Sequence, residues 1–157
     1  MAIGSGALRS NTTGAYNMAI GAEALRDNNA NFNLAIGFRV GFMNTTGTHL
    51  TGIGAEALHS NTSDGFNTAV GAAALLNNAT GFANNAVGAF ALLNNIGGFF
   101  NNAHGHNCLL NNNTGDQNNA FGDEAIFANT TGSFNSAFGD DALHDCTSGH
   151  SNVAMGD

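Results

Sequence analysis

A tripeptide of the form Ala-(Ile/Val/Phe)-Gly, with single substitutions in a few copies, recurs through this chain of 157 residues. Its ten copies run from residue 2 to residue 156, and their glycines are 17 residues apart except for one step of 16. A fixed period this short predicts a solenoid in which each coil stacks only on its neighbours. We therefore expect a single repeat domain over residues 1–157, with coils that begin at Gly4, Gly21, Gly37, Gly54, Gly71, Gly88, Gly105, Gly122 and Gly139.

The composition limits what such a solenoid can bind. Only 9% of residues are charged, and the formal net charge is -8 with three arginines and no lysine. Nucleic-acid binding requires clusters of Lys and Arg that neutralise phosphates, so we exclude it. No apolar run approaches the roughly 20 residues of a membrane span, and the N-terminus lacks the pattern of a secretory signal.

Two rows of large apolar residues recur in the repeat, each beside a row of alanines. Because neighbouring residues of an extended chain point to opposite faces, an adjacent Ala and Leu should not both face the inside of a coil. We expect a thin roll of parallel β-strands filled by alanine, with two strands and two corners in each coil. The large rows should then complete the core or form an interface between chains, which predicts an oligomer: Leu8, Leu25, Leu58, Leu75, Leu92, Leu109, Ile126 and Leu143 in one row, and Ile20, Ile36, Ile53, Val70, Val87, Phe121 and Phe138 in the other.

Asparagine fills two further columns of the repeat, and stacked amides can hydrogen-bond along such a stack. A row of glycines that includes Gly81 and Gly98 predicts a corner with positive φ. The coil that begins at Gly21 is one residue short, and Gly41 and Gly52 replace larger residues in the next coil. We expect a kink or bulge within residues 28–52.

The repeat resembles known fibre proteins. The element Asn67-Thr68-Ala69-Val70-Gly71 resembles the head repeats of YadA-like trimeric autotransporter adhesins, and residues 123–132 resemble repeats of phage tail fibres and related surface fibres. This resemblance implies a left-handed parallel β-roll, three copies of which pack around a threefold axis in a rod that attaches to a surface. It also implies a location outside the cell or on a virion.

Both termini fall within the repeat, without a capping coil. The chain is therefore expected to be a segment of a longer fibre or to stack end to end into a filament, with itself as the main partner. A structural, non-enzymatic fibre protein is the favoured reading, since no serine or cysteine lies in a nucleophile motif. An adhesin module that binds a receptor or glycan, and an ice-binding solenoid with a threonine face, remain alternatives.

Six N-glycosylation sequons fall in one asparagine column, and they would coat one side of the rod with sugar if that column faces solvent. Their asparagines are Asn11, Asn44, Asn61, Asn78, Asn112 and Asn129.

Acidic residues concentrate at one point of the last coils and suggest a cation such as Ca²⁺. His106, Asp123, Asp140 and Asp157 share one column, and Glu124 and Asp141 share the next. The alternation of His104, His106 and Cys108 also suggests metal ligands, although a structural role is favoured for these three. Cys108 and Cys146 lie two coils apart, too far for a disulfide within the chain, so free thiols or contacts between chains are expected.

Overall fold

The computed structural model of the protein describes residues 1–156. These residues form ten short parallel strands in one sheet, ordered β1 to β10 along the chain. The predicted all-β solenoid of about nine coils is therefore confirmed. The strands are β1 Ala2–Ile3, β2 Met18–Ile20, β3 Leu34–Ile36, β4 Thr51–Ile53, β5 Thr68–Val70, β6 Asn85–Val87, β7 Asn102–His104, β8 Asn119–Phe121, β9 Ser136–Phe138 and β10 Val153–Met155.

Each strand is followed by the repeat glycine, where two conditions exclude any side chain. The backbone is left-handed, with φ +137° at Gly88, which L-residues rarely adopt. The next coil is also too close: a Cβ on Gly88 would lie 2.2 Å from the carbonyl oxygen of Gly105. This contact fixes the register, so that Ala86 pairs with Ala103 and Val87 with His104.

The expected second strand of each coil is absent within the described residues, and the prediction that Ala and Leu face opposite sides is wrong. The segment after the repeat glycine is a series of turns in which the leucine itself is left-handed, with φ 52° at Leu75. This conformation breaks the alternation of an extended chain, so Ala74 and Leu75 both point inward and are fully buried. The leucine row therefore fills the coil, with Leu25, Leu58, Leu75, Leu92, Leu109 and Ile126 buried and Leu8 and Leu143 partly buried against the same core.

One asparagine column forms a continuous ladder inside the solenoid, as predicted. Six consecutive side-chain bonds join Nδ2 of one asparagine to Oδ1 of the asparagine one coil earlier, from Asn129 down to Asn28. In the middle of the ladder the Asn95 Nδ2 donates to Asn78 Oδ1 at 2.8 Å and to the Gly98 carbonyl at 2.9 Å. Each interior amide is thereby paired both along the stack and within its own coil.

The second asparagine column connects side chains to the backbone of the next coil. The backbone N–H of Asn118 donates to Asn101 Oδ1 at 3.0 Å, and Asn118 Nδ2 donates to the Gly132 carbonyl at 2.8 Å. Among the described residues no buried side-chain nitrogen or oxygen lacks a hydrogen-bond partner. The polar interior therefore avoids the cost of unpaired buried groups.

The prediction of positive φ at the corner glycines is wrong. Glycine is required there because a larger residue would collide with its neighbours. Gly81 does not lie in the left-handed region, but a Cβ there would lie 2.0 Å from Asn78 Oδ1. The left-handed residues of the corners are non-glycine residues, such as Phe66 at φ 60°.

The predicted bulge within residues 28–52 does not occur in the strand ladder. Strands β2, β3 and β4 pair residue for residue across the short coil. Gly52 and Val40 compensate each other in volume: Val40 occupies an alanine position, and a Cβ on Gly52 would lie 2.4 Å from its Cγ1. The extra bulk of Val40 therefore explains why Gly52 replaces alanine.

The ladder predicts a large penalty for removing one of its amides. Asn95→Ala removes the donor to Asn78 Oδ1 along the stack, and it also removes the acceptor that Asn112 Nδ2 uses along the stack. We expect the free energy of unfolding to fall by about 3 kcal/mol. Asn94→Ala is the matched control, because its neighbouring amides are only partly buried and water can replace the bonds; it should cost less than about 1 kcal/mol. Urea denaturation of both variants measures the difference, and equal losses would contradict a special role of the buried column.

Candidate functional site

The outer face of the sheet carries one continuous row of large side chains. In each strand the central residue is directed into the coil, and the residue just before the repeat glycine is directed outward. We call the outward row the apolar stripe; it contains Ile3, Ile20, Ile36, Ile53, Val70, Val87, His104, Phe121, Phe138 and Met155. Exposure is 42% at Phe138 and 37% at both Ile53 and Phe121, and it is higher at the two ends of the stripe, Ile3 and Met155.

The stripe is ordered along its length by the strand register. Phe121 and Phe138 stack with their ring centroids 5.0 Å apart, and His104 stacks on Phe121 at 4.7 Å. His104 therefore serves as one more flat ring in the row, which agrees with its predicted structural role. Of the two apolar rows in the sequence, the leucines complete the core, and this row lies on the surface.

A second row of rings, which sequence analysis missed, runs along the corner that precedes each strand. Tyr16, Phe32, His49 and Phe66 stack in succession with centroids 4.7–5.1 Å apart. Their backbones are left-handed, with φ between 57° and 61°. The signal in the sequence was the recurrence of rings two positions after the corner glycines, as at Tyr16, His49, Phe100 and Phe134.

This second row is interrupted at Gln117, and a cleft opens there. The cleft has a volume of about 570 Å³ and is lined by Phe100, Gln117, Asn119, Phe134 and Ser136. Asn119 Oδ1 accepts a hydrogen bond from Asn102 Nδ2 at 2.8 Å. Two exposed rings and three neutral polar side chains make this a site suited to an uncharged polar molecule with an apolar face.

The acidic residues proposed as cation ligands separate into two groups. Asp123 Oδ1 lies 2.9 Å from His106 Nδ1, and its backbone N–H donates to Asp140 Oδ1 at 3.2 Å. Glu124 and Asp141 instead form a cluster with His144, in which one ligand atom of each residue lies within 4.8 Å of the others. Asp157, the last member of the predicted column, lies outside the described residues.

The cluster suits a transition metal better than calcium. Two carboxylates and an imidazole are the donor types of zinc and iron sites, whereas Ca²⁺ takes six to eight oxygen ligands. Sequence analysis missed His144, although it follows Asp141 by three residues in the same coil. Asp145 Oδ1 lies 2.7 Å from His144 Nδ1 and orients the ring, with His144 Nε2 3.3 Å from Glu124 Oε2.

The sequence motif of His104, His106 and Cys108 does not form a site. His104 belongs to the stripe, His106 pairs with Asp123, and the Cys108 thiol is buried with Sγ 3.2 Å from the Ala120 carbonyl oxygen. Burial raises the pKa of Cys108 to about 12, which keeps it protonated and unreactive. Both cysteines are free thiols, as predicted.

The sequon column faces the interior, so the condition for a sugar-coated face is not met. Asn44, Asn61, Asn78, Asn112 and Asn129 are fully buried, and their Nδ2 atoms, which would carry the glycan, donate within the ladder. Asn11 lies in the first coil and is half-buried, with Nδ2 bonded to the Gly14 carbonyl. A glycan on the five buried amides is incompatible with this fold.

The threonines next to the sequons direct their hydroxyls along the stack. Thr45, Thr62 and Thr130 each donate to a carbonyl oxygen of the following coil at 2.9–3.0 Å. Those hydroxyl protons are therefore not available as the regular donor array of an ice-binding face.

No known protein family, curated protein or solved structure matches this chain. Residues 1–156 also contain no helix that could span a bilayer.

The pKa of His144 should respond to one neighbour. The hydrogen bond with Asp145, and then the surrounding acidic charge, raise the pKa of His144 above its usual value. A raised pKa stabilises the folded state at low pH, and that contribution disappears as the pH rises through the folded-state pKa. NMR titration should place the His144 midpoint above about 6.5, and Asp145→Asn should lower it while Asp116→Asn leaves it unchanged. An identical midpoint in all three proteins would contradict the assigned contact.

Proposed function

We propose that this protein is a structural rod of an extracellular or virion surface fibre, and that its copies associate side by side through the apolar stripe. The observation that carries the proposal is the stripe itself: one large apolar or aromatic side chain per coil, held in line by the strand register over the whole sheet.

Exposed apolar surface of this extent favours association. Contiguous apolar patches on soluble proteins mark interaction surfaces, and burial stabilises by about 25 cal/mol per Å² of apolar area. The strand register aligns the members of the stripe, and some of them are stacked rings. A second rod can therefore contact the stripe at every coil. A flat, regular surface of this kind suits a partner with the same repeat.

The interior suits a structural role because it resists local change. Most coils contribute the same glycine contact, one buried leucine or isoleucine and the same pair of amides, and the coil that begins at Gly37 has Gly41 in place of the leucine and Leu50 in place of one amide. Nine coils at the usual strand spacing give a rod about 43 Å long. The acidic and amide-rich exterior keeps such a rod in solution. The resemblance to adhesin heads and tail fibres agrees with a role at a surface.

A ligand-binding module is the second candidate, and the cleft between Phe100 and Phe134 favours it. The cleft holds no charged side chain among its lining residues, and the chain carries few cations, so a neutral glycan suits it better than an anionic one. Binding to a panel of neutral glycans, with no effect on the mass in solution, would favour this function over the structural one.

A matched pair of charge insertions tests the structural proposal. Ile53→Asp puts a carboxylate in the stripe, where a partner would desolvate it, and Ile96→Asp puts the same change on another exposed face. Sedimentation equilibrium should show an oligomer for the wild type and Ile96→Asp and a monomer for Ile53→Asp. A monomeric wild type at tens of micromolar would overturn the proposal, as would equal dissociation of both variants.

A further inference from the structure

Charge and side-chain volume both change along the rod. All three arginines lie in the first three coils, at Arg9, Arg26 and Arg39, together with only two carboxylates, Glu23 and Asp27. The last three coils have no arginine, and their described residues carry six carboxylates, at Asp116, Asp123, Glu124, Asp140, Asp141 and Asp145.

The stripe changes in the same direction. Its first four members are isoleucines, its two central members are Val70 and Val87, and its next three members are the rings of His104, Phe121 and Phe138. Two copies that lie parallel would place rings against rings at one end and isoleucines against isoleucines at the other. The gap between the rods would then vary along the interface.

We propose that two copies pair antiparallel through the apolar stripe, with Val70 and Val87 at the twofold axis. This inference rests on the proposed side-by-side association and specifies its geometry. On either side of the axis an isoleucine of one copy faces a ring of the other: Ile53 faces His104, Ile36 faces Phe121, and Ile20 faces Phe138. Apart from the central valine pair, which occurs in either orientation, each of these contacts combines one isoleucine with one ring, which makes the packed volume more even than in a parallel pair.

The same alignment places opposite charges together. The twofold axis that relates two antiparallel copies lies in the interface plane and runs perpendicular to the rods. It brings the same flank of each copy together, as in any isologous interface. Arg39 follows Ile36 by three residues, and Glu124 follows Phe121 by three residues, so these two occupy equivalent points of their coils and face each other across the axis. In the neighbouring pair of coils Glu23 faces Asp141 and Asp27 faces Asp145, so the attraction is one between whole segments: three arginines and two carboxylates in the first three coils lie against six carboxylates in the last three.

A parallel arrangement lacks this complementarity. It would gather the carboxylates of both copies at the same end of the assembly, with no arginine within several coils and so beyond the screening length of about 8–10 Å. The antiparallel pair divides these charges between the two ends and sets each acidic segment against the arginine-bearing segment of its partner. Charge complementarity of this kind selects orientation more than it adds affinity.

Pulsed dipolar spectroscopy between spin labels distinguishes the orientations. Two proteins on a Cys146→Ser background each carry one added cysteine for the label at equivalent exposed positions, Ser5→Cys in the first coil and Ala72→Cys near the axis. Cys108 stays unlabelled because it is fully buried. The antiparallel pair predicts a distance of about 25 Å or less at position 72, since packed sheets lie about 10 Å apart, and about 40 Å or more at position 5.

The other outcomes overturn this geometry and identify what replaces it. Short distances at both positions would show a parallel pair or trimer, and equal long distances at both would show end-to-end stacking. Absence of dipolar coupling at both positions, with a monomeric mass, would overturn the side-by-side association itself. Failure of the antiparallel geometry is thus distinct from failure of the proposed function.

Discussion

The structure depends on interior amides that satisfy one another along the stack. A coil of 17 residues is too small to hide its backbone behind a thick apolar core, and its interior therefore contains polar groups that must be paired. Asparagine meets this need because its side chain carries both a donor and an acceptor. In one column the amides bond to each other, as from Asn112 to Asn95 at 2.8 Å. In the other they bond to the backbone of the next coil as well as to each other, as from Asn118 to Asn101. Both patterns require neighbouring coils in strict register, and so they specify the fold as well as stabilise it.

The period, the parallel stack and the asparagine ladder could be predicted because they depend only on which residue type recurs at which spacing. The shape of the coil could not. Alternation between the inside and outside of a strand holds only for extended backbone, and Leu75 and its equivalents are left-handed without being glycine. Nothing in a leucine side chain signals that conformation; stacking of identical coils imposes it. The corner glycine Gly81 shows the reverse error, because glycine was needed there for space beside Asn78 and not for its φ.

The same coil geometry determines which residues lie on each part of the surface. Residues that point outward from the strand form the stripe, those at the next corners carry the charges, and the sequon asparagines are inside. The acidic positions were predicted correctly as neighbours, yet the imidazole of His144 that completes their cluster was not, since its proximity to Glu124 arises between adjacent coils. Likewise the ring row from Tyr16 to Phe66 becomes a stack only when the coils are superimposed. Such contacts between adjacent coils depend on the strand register, and the interior hydrogen bonds require that register.

The most direct test of this account is the hydrogen exchange of asparagine side-chain amides, followed by NMR on the folded protein. Buried Nδ2 protons that donate within the ladders should exchange far more slowly than those of exposed amides and should become unprotected together on unfolding. Slow exchange confined to the two columns, including Asn61, Asn78, Asn95, Asn118 and Asn135, is the predicted result. Uniformly fast exchange of every asparagine side chain in the folded state would show that the interior amides are hydrated, and it would contradict the ladder as the basis of the fold.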